Sequence, residues 1–128
     1  MNTLHQTDAP PLLLGSTFPL SLIRRRVEIE PVPLDALRAE AARRPVVSFW
    51  GHSNTLPAAR AILGIDVTPG SARPALTLSV DGLPCLDGVV FDECWVLSPD
   101  YVSGYRPTLG EDVPVERITG WQVLKMRW

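Results

Sequence analysis

The stretch from Val46 to Gly64 constrains the fold of this chain more than any other. Val46-Val47-Ser48-Phe49-Trp50 is an apolar run that breaks at Gly51-His52, and Ser53-Asn54-Thr55 then offers helix-capping side chains. Leu56, Ala59, Ile62 and Leu63 follow at helical spacing, and Gly64 supplies the stop. The pattern is strand, tight turn, helix, with His52 at the carboxyl end of the strand. In α/β sheets ligands bind at this junction, because the first amides of the helix and the positive end of its dipole point outward there. An imidazole so placed can meet a phosphate and exchange a proton. The alternative is a histidine that only helps to cap the helix.

The flanking segments extend the unit into a domain. Leu12 to Phe18 is a short apolar run that predicts a buried first strand ended by Pro19, and Arg26 to Ile29 predicts a second, edge-like strand. Pro31 and Pro33 interrupt the chain. Leu34, Leu37 and Ala41 share one face of an amphipathic helix over 34–44, closed by Pro45. Beyond the His52 helix, Asp66 to Pro74 is turn-rich, Ala75 to Val80 alternates as a strand, and Asp81-Gly82 signals a turn. Val89 to Leu97 predicts a long central strand despite Asp92 and Glu93. Ser98 to Val113 predicts an irregular loop, Pro114 to Ile118 one helical turn, and Trp121 to Trp128 a final strand. The expected architecture is a single α/β domain over 12–128, a mixed sheet with two main helices mainly on one face, preceded by a flexible arm over 1–11.

A length of 128 residues suits one domain with a real core. Twelve lysines and arginines against fourteen acids give a net charge of −2, which argues against a nucleic-acid coat and against double-stranded DNA as a partner. Arg24-Arg25-Arg26 and Arg43-Arg44 are the basic clusters, each read as solvated surface. Cys85 and Cys94 match no metal-ligand spacing and no disulfide framework, so they read as reduced residues of a cytoplasmic protein. No run approaches the roughly 18 apolar residues of a membrane span, and Met1 to Pro11 lacks the pattern of a signal peptide.

Read together, these motifs resemble a known family, the small dimeric proteins of archaeal viruses and some bacteria that include the viral ring nucleases, an anti-CRISPR group. The family's first motif is close to Asn-Ala-Phe-Ser-Leu-Asn-Met-Leu, matched here by Ser16-Thr17-Phe18-Pro19-Leu20-Ser21-Leu22-Ile23. Its second, roughly Ile-Gly-His-x-Ser/Ala-Thr, is matched by Trp50-Gly51-His52-Ser53-Asn54-Thr55, with Ile62-Leu63-Gly64 closing the helix. The match runs over about residues 13–80. The resemblance implies a homodimer that binds cyclic tetra-adenylate and cuts it without metal or cofactor. A ribose 2′-hydroxyl would attack, and His52 would protonate the departing 5′-oxygen, so that the protein supplies positioning, charge neutralisation and one proton. Ser16, Ser21, Gly51, Ser53, Thr55 and Arg106 would contact the ligand. The chain departs from the pattern at the nucleotide-binding asparagines and serine, where it carries Ser16, Ser21 and Pro19. It departs again in the later Arg-x-x-Glu-Gly motif, which here reads Arg106-Pro107-Thr108-Leu109-Gly110, with Glu111 as the nearest acid.

Other chemistries fit less well. Asp81, Asp87, Asp92 and Glu93 lack the alternate spacing of a calcium loop and read as hairpin turns. Ser48, Ser53 and Thr55 near His52 lack a Gly-x-Ser-x-Gly elbow. Trp95 and Trp121 read as core, Trp50 as a pocket wall, and Trp128 as the cover of a dimer interface. Three functions stay open: a metal-independent phosphodiesterase, a dimeric nucleotide binder without turnover, and an interaction domain that keeps the fold alone.

Overall fold

Leu12, Leu13 and Leu14 are completely buried, and that decides where the first strand lies. A strand apolar at consecutive positions belongs where both faces are covered. In the computed structural model, which describes residues 9–68 and 76–128, β1 (Leu12–Gly15) runs between β3 (Val46–Ser48) and β7 (Glu93–Tyr101), parallel to both. β8 (Ile118–Arg127) pairs antiparallel with β7 and with β2 (Glu28–Val32), giving a five-stranded mixed sheet of order β2-β8-β7-β1-β3. Leu12 and Leu14 point to one face, where Leu37 of α1 (Leu34–Arg43) and Leu56, Ala59 and Leu63 of α2 (Leu56–Leu63) meet them. Leu13 points to the other, where it joins Cys94, Val96, Met126, Leu86 and Phe91. A small antiparallel sheet, β4 (Thr77–Leu78), β5 (Pro84–Leu86) and β6 (Val89–Val90), adds to that second layer. The α/β reading therefore holds, with both helices on one face.

Several boundaries differ from the sequence reading. The predicted strand over 89–97 is two strands. β5 and β6 turn at Asp87 and Gly88, both at positive φ (51° and 82°), as a tight hairpin requires. β7 then begins at Glu93 and continues through Tyr101, so Ser98 to Tyr101 is strand rather than loop. β8 holds it there, pairing Pro99 with Trp121 and Asp100 with Gly120. Pro99 fits because β1 reaches only as far as Val96, leaving β7 one neighbour beyond it. The first strand ends at Gly15 rather than Phe18, and the second is shifted to 28–32. It takes in Pro31, which an edge strand tolerates. The predicted strand over 75–80 shrinks to β4, and the turn region over 69–74 lies outside the described residues, as do residues 1–8 of the arm.

Arg44 is not solvated surface. Its side chain is 9 % exposed and donates to Glu40 and Glu93, both at 2.9 Å, and to the carbonyls of Pro10 and Pro11 at 2.8 and 3.0 Å. Burial raises the Glu93 carboxyl, but hydrogen bonds from Trp95 and Arg44 and the charges of Arg44 and Lys125 outweigh it and hold it below the usual carboxylate value. Arg43, chiefly by hydrogen bonding, does the same for Glu40. This clamp ties the end of α1, the start of β7 and the approach to β1 into one unit. Both cysteines are free thiols, and burial pushes the Cys94 thiol well up.

Candidate functional site

The three parallel strands end on one edge of the sheet, and the predicted residues collect there. Ser16 follows β1, His52 follows β3, and Ser98 to Tyr101 end β7. Between them lies an open cavity of about 520 Å³, lined by Ser16, His52, Thr55, Ser98 and Tyr101 and closed by Pro107 to Leu109. A smaller cavity of about 260 Å³ adjoins it, with Gly51, Ser53 and Glu111 in its wall and His52, Asn54 and Leu109 shared between the two. A crevice outside the carboxyl ends of parallel strands is the usual ligand position in such sheets.

Local hydrogen bonding fixes the histidine. The His52 carbonyl accepts from the Trp50 indole N–H at 2.9 Å, the Thr55 hydroxyl at 3.0 Å and the Thr55 amide at 3.0 Å. Trp50 is 2 % exposed, so its ring anchors the turn from the core. On the imidazole, Nδ1 lies 2.8 Å from the Ser16 hydroxyl, which also accepts from the Gly51 amide at 3.3 Å. The hydroxyl serves either form of the ring: it donates to a bare Nδ1, and it accepts from a protonated one. Nε2 has no hydrogen-bond partner among the described residues and is left for a ligand. The Val113 amide donates to the Asn54 carbonyl at 2.8 Å, tying the loop after β7 to the His52 turn.

Of the residues picked from sequence, Ser16, His52 and Thr55 share the larger cavity, and Gly51 and Ser53 share the smaller one with His52. Thr55 is 3 % exposed and its hydroxyl already bridges Trp50 and His52, so it builds the turn. Ser21, exposed in a 3-10 turn over Leu20–Leu22, lines neither cavity. Arg106 is exposed and also lines neither, although its neighbours Pro107, Thr108 and Leu109 do. Trp50 is core support rather than pocket wall. The expected cradle of helix amides is thin: a 3-10 turn over Ser53–Thr55 precedes α2, the Thr55 amide is used, and Pro57 in the first turn has none.

Sequence reasoning missed Ser98, Tyr101, Thr108 and the wall made by Leu109. Tyr101 was hidden by the loop assignment of its segment. Its ring packs 5.4 Å from Tyr105, with the Arg117 guanidinium 5.5 Å from the Tyr105 centroid. Burial, with a smaller contribution from Tyr105, raises the Tyr101 phenol, so it stays a hydrogen-bond donor at neutral pH. The larger cavity thus offers hydroxyls, one amide side chain and one imidazole, with no lysine or arginine among the described residues of its wall. No group of three metal-ligating side chains occurs among the described residues, and no helix among them is long and apolar enough to cross a membrane.

No protein-family model matches the chain, and no curated protein matches its sequence. Among solved structures it is similar to B116 of Sulfolobus turreted icosahedral virus, with a TM-score of 0.53 at 11 % identity, over 92 % of this chain and 99 % of that one. The likeness is one of fold: the chain has a single-domain α/β architecture shared with a viral protein.

Proposed function

We propose that this chain binds a nucleotide at the carboxyl edge of its sheet and cleaves a cyclic oligoadenylate there without metal, with His52 as the general acid. The observation that carries this reading is the Ser16–His52 pair. It is a hydrogen bond of 2.8 Å that orients an imidazole on a rigid turn, with the opposite nitrogen left free beside a cavity of nucleotide size. The substrate brings its own nucleophile, the ribose 2′-hydroxyl adjacent to the scissile phosphate. The protein then holds that phosphate in line and gives a proton to the departing 5′-oxygen. Ser16 positions the ring and steadies it once charged. Ser98, Thr108 and Tyr101 are hydrogen-bonding groups for the ligand, and Gly51 and Ser53 line its extension into the smaller cavity. Arg106 and Ser21 reach the ligand only in a homodimer, where a second copy of the cavity would face the first across a twofold axis. The setting is the cytoplasm.

A dimeric binder without turnover is the second reading. It is favoured by a wall whose described polar groups are uncharged hydroxyls, an amide and an imidazole, since a phosphodiester transition state gains most from cations. One experiment separates the readings: purified protein with cyclic tetra-adenylate in EDTA, beside His52→Ala, analysed for products and for binding by calorimetry. Linear products from the parent and none from His52→Ala support the enzyme. Ligand bound but intact, with affinity unchanged in His52→Ala, supports the binder. Neither binding nor products overturns both.

A further inference from the structure

The basic cluster Arg24-Arg25-Arg26 does not approach His52. Arg127, at the end of β8, pairs in register with Glu28, the first residue of β2, and with Glu93, the first residue of β7, whereas Tyr101 at the far end of β7 lines the His52 cavity. The length of β7, at about 3.4 Å per residue, places the two regions roughly 25–30 Å apart. Here Arg25, Arg26, Glu28, Arg127 and Trp128 line a further, open cavity of about 390 Å³. From this geometry we infer an anion site, taking a small phosphate ester whose phosphate oxygens meet Arg25, Arg26 and Arg127 against the wall of Trp128.

Charge is the first argument. Three guanidinium groups stand in this wall against one carboxylate, Glu28. Arg38, Arg43, Arg44 and Arg60 each have a carboxylate within 4 Å, whereas Arg24, Arg106 and Arg117 have none among the described residues and stand singly, outside any shared cavity. Among the described residues only Arg127 of this cavity has such a partner, Glu30 at 3.6 Å, and both side chains of that pair are more than half exposed. Arg26 and Glu28 make no ion pair among the described residues. Arg25 donates to the Asp81 carbonyl at 3.0 Å, a contact that fixes its position and leaves its charge uncompensated.

Preorganisation is the second. Gly82, at φ +78°, lets its turn lie against Arg25; a Cβ there would stand 3.4 Å from the Arg25 Cδ. The Trp128 amide donates to the Asp92 carbonyl at 3.0 Å, and its ring packs 5.3 Å from that of Phe18. Its indole N–H is buried and has no acceptor among the described residues, a state that costs free energy and marks this wall as incompletely satisfied. Guanidinium groups bind phosphate oxygens in pairs, and the one hydrogen bond that holds Arg25 lowers its share of the ordering cost of binding. The volume exceeds that of one phosphate group and lies within the range of small-molecule pockets, so the ester carries a further group such as a second phosphate or a nucleoside.

The test uses the full chain with pyrophosphate and AMP as probes, read by calorimetry and by the NMR signal of the Trp128 indole N–H, assigned with Trp128→Phe. Both probes should move that signal, and Arg26→Gln and Arg127→Gln should each weaken binding about tenfold, the loss of one charged hydrogen bond. The Trp128 indole signal reports this cavity alone, so a shift that depends on Arg26 and Arg127 keeps this site separate from the one proposed above. No movement of the indole signal, or equal affinity in Arg26→Gln, overturns the assignment. So does a single-stranded oligonucleotide that outcompetes both probes with the same arginine dependence, because the ligand is then a nucleic-acid backbone. Arg26 is exposed and contacts no carboxylate among the described residues, so Arg26→Gln should fold as the parent does and the comparison stays clean.

Discussion

Arg44→Met tests whether the clamp beside β1 is a buried ion pair or a surface one. Methionine keeps much of the length and apolar stem of arginine and removes the guanidinium. Four hydrogen bonds go with it, two of them to carboxylates. Hydrogen bonds to charged groups contribute about 1.5–3 kcal/mol each net of desolvation, and stripping one partner from a buried pair costs about 3–5 kcal/mol. Arg44 is 9 % and Glu93 19 % exposed, which places the pair near the buried limit. Glu93 keeps Lys125 at 3.6 Å and the Trp95 indole at 2.8 Å, so it is not wholly abandoned. The expected loss is therefore about 3 kcal/mol by urea unfolding at neutral pH. The sign with pH follows from Glu93 and Glu40. Their carboxyls are held below the usual value, so the stabilisation is present above the unfolded-state value and is lost as pH falls through the folded one. The gap between parent and variant should hold at neutral pH and narrow below about pH 4. A double-mutant cycle with Glu93→Gln should give a coupling above about 1 kcal/mol. The cycle with Glu40→Gln should give less, because Glu40 keeps Arg43 on both oxygens. A loss under about 1 kcal/mol, the range of exposed ion pairs, would refute the clamp as described.

Three further outcomes are expected. Gly15→Ala places a methyl group 2.3–2.8 Å from the Phe49 ring, so the ring must move; unfolding should show a loss of about 1–3 kcal/mol, and stability equal to the parent would contradict the packing. Trp50→Phe removes the indole donor to the His52 carbonyl and should cost about 1–2 kcal/mol, with faster amide exchange over 51–55 as its specific signature. Thiol labelling at pH 8 should modify Cys85 in the native protein and reach Cys94 only on unfolding, since Cys94 is buried and its thiol is held in the protonated form; equal native rates would contradict its burial.

The legible parts of this chain were those whose pattern is local. The helix over 34–43 and the turn and helix from His52 to Gly64 were readable because apolar spacing and stop agree, although neither helix has the side-chain cap that Ser53-Asn54-Thr55 suggested. The continuous Leu12-Leu13-Leu14 run marked a strand covered on both faces. What stayed illegible depended on partners distant in sequence. Ser98 to Tyr101 carries a proline and two polar residues, so nothing local marks it as strand; β8 imposes that conformation. Arg44 and Arg43 are identical neighbours in sequence, and only the folded chain separates the buried clamp from the solvated side chain. For the same reason His52 and Ser16 could be picked out, while the far wall of their cavity, Ser98 and Tyr101, could not.

The placement of β1 has a consequence for the order in which the molecule assembles. Its neighbours are β3 and β7, and Leu14 must find Trp95 before the sheet is continuous. β2 waits longer still, because its partner is β8, with Glu28 opposite Arg127. As the chain leaves the ribosome, its first half therefore holds two helices and three strands that have no complete surface to settle on. Closing such long loops is entropically slow, and contacts of this separation form late. Folding of the sheet should be concerted and wait for β8, with the Ser98–Tyr101 wall and the loop that borders the cavity arriving together in the final step. A nascent chain that carries His52 but not yet β8 holds the histidine and no cavity.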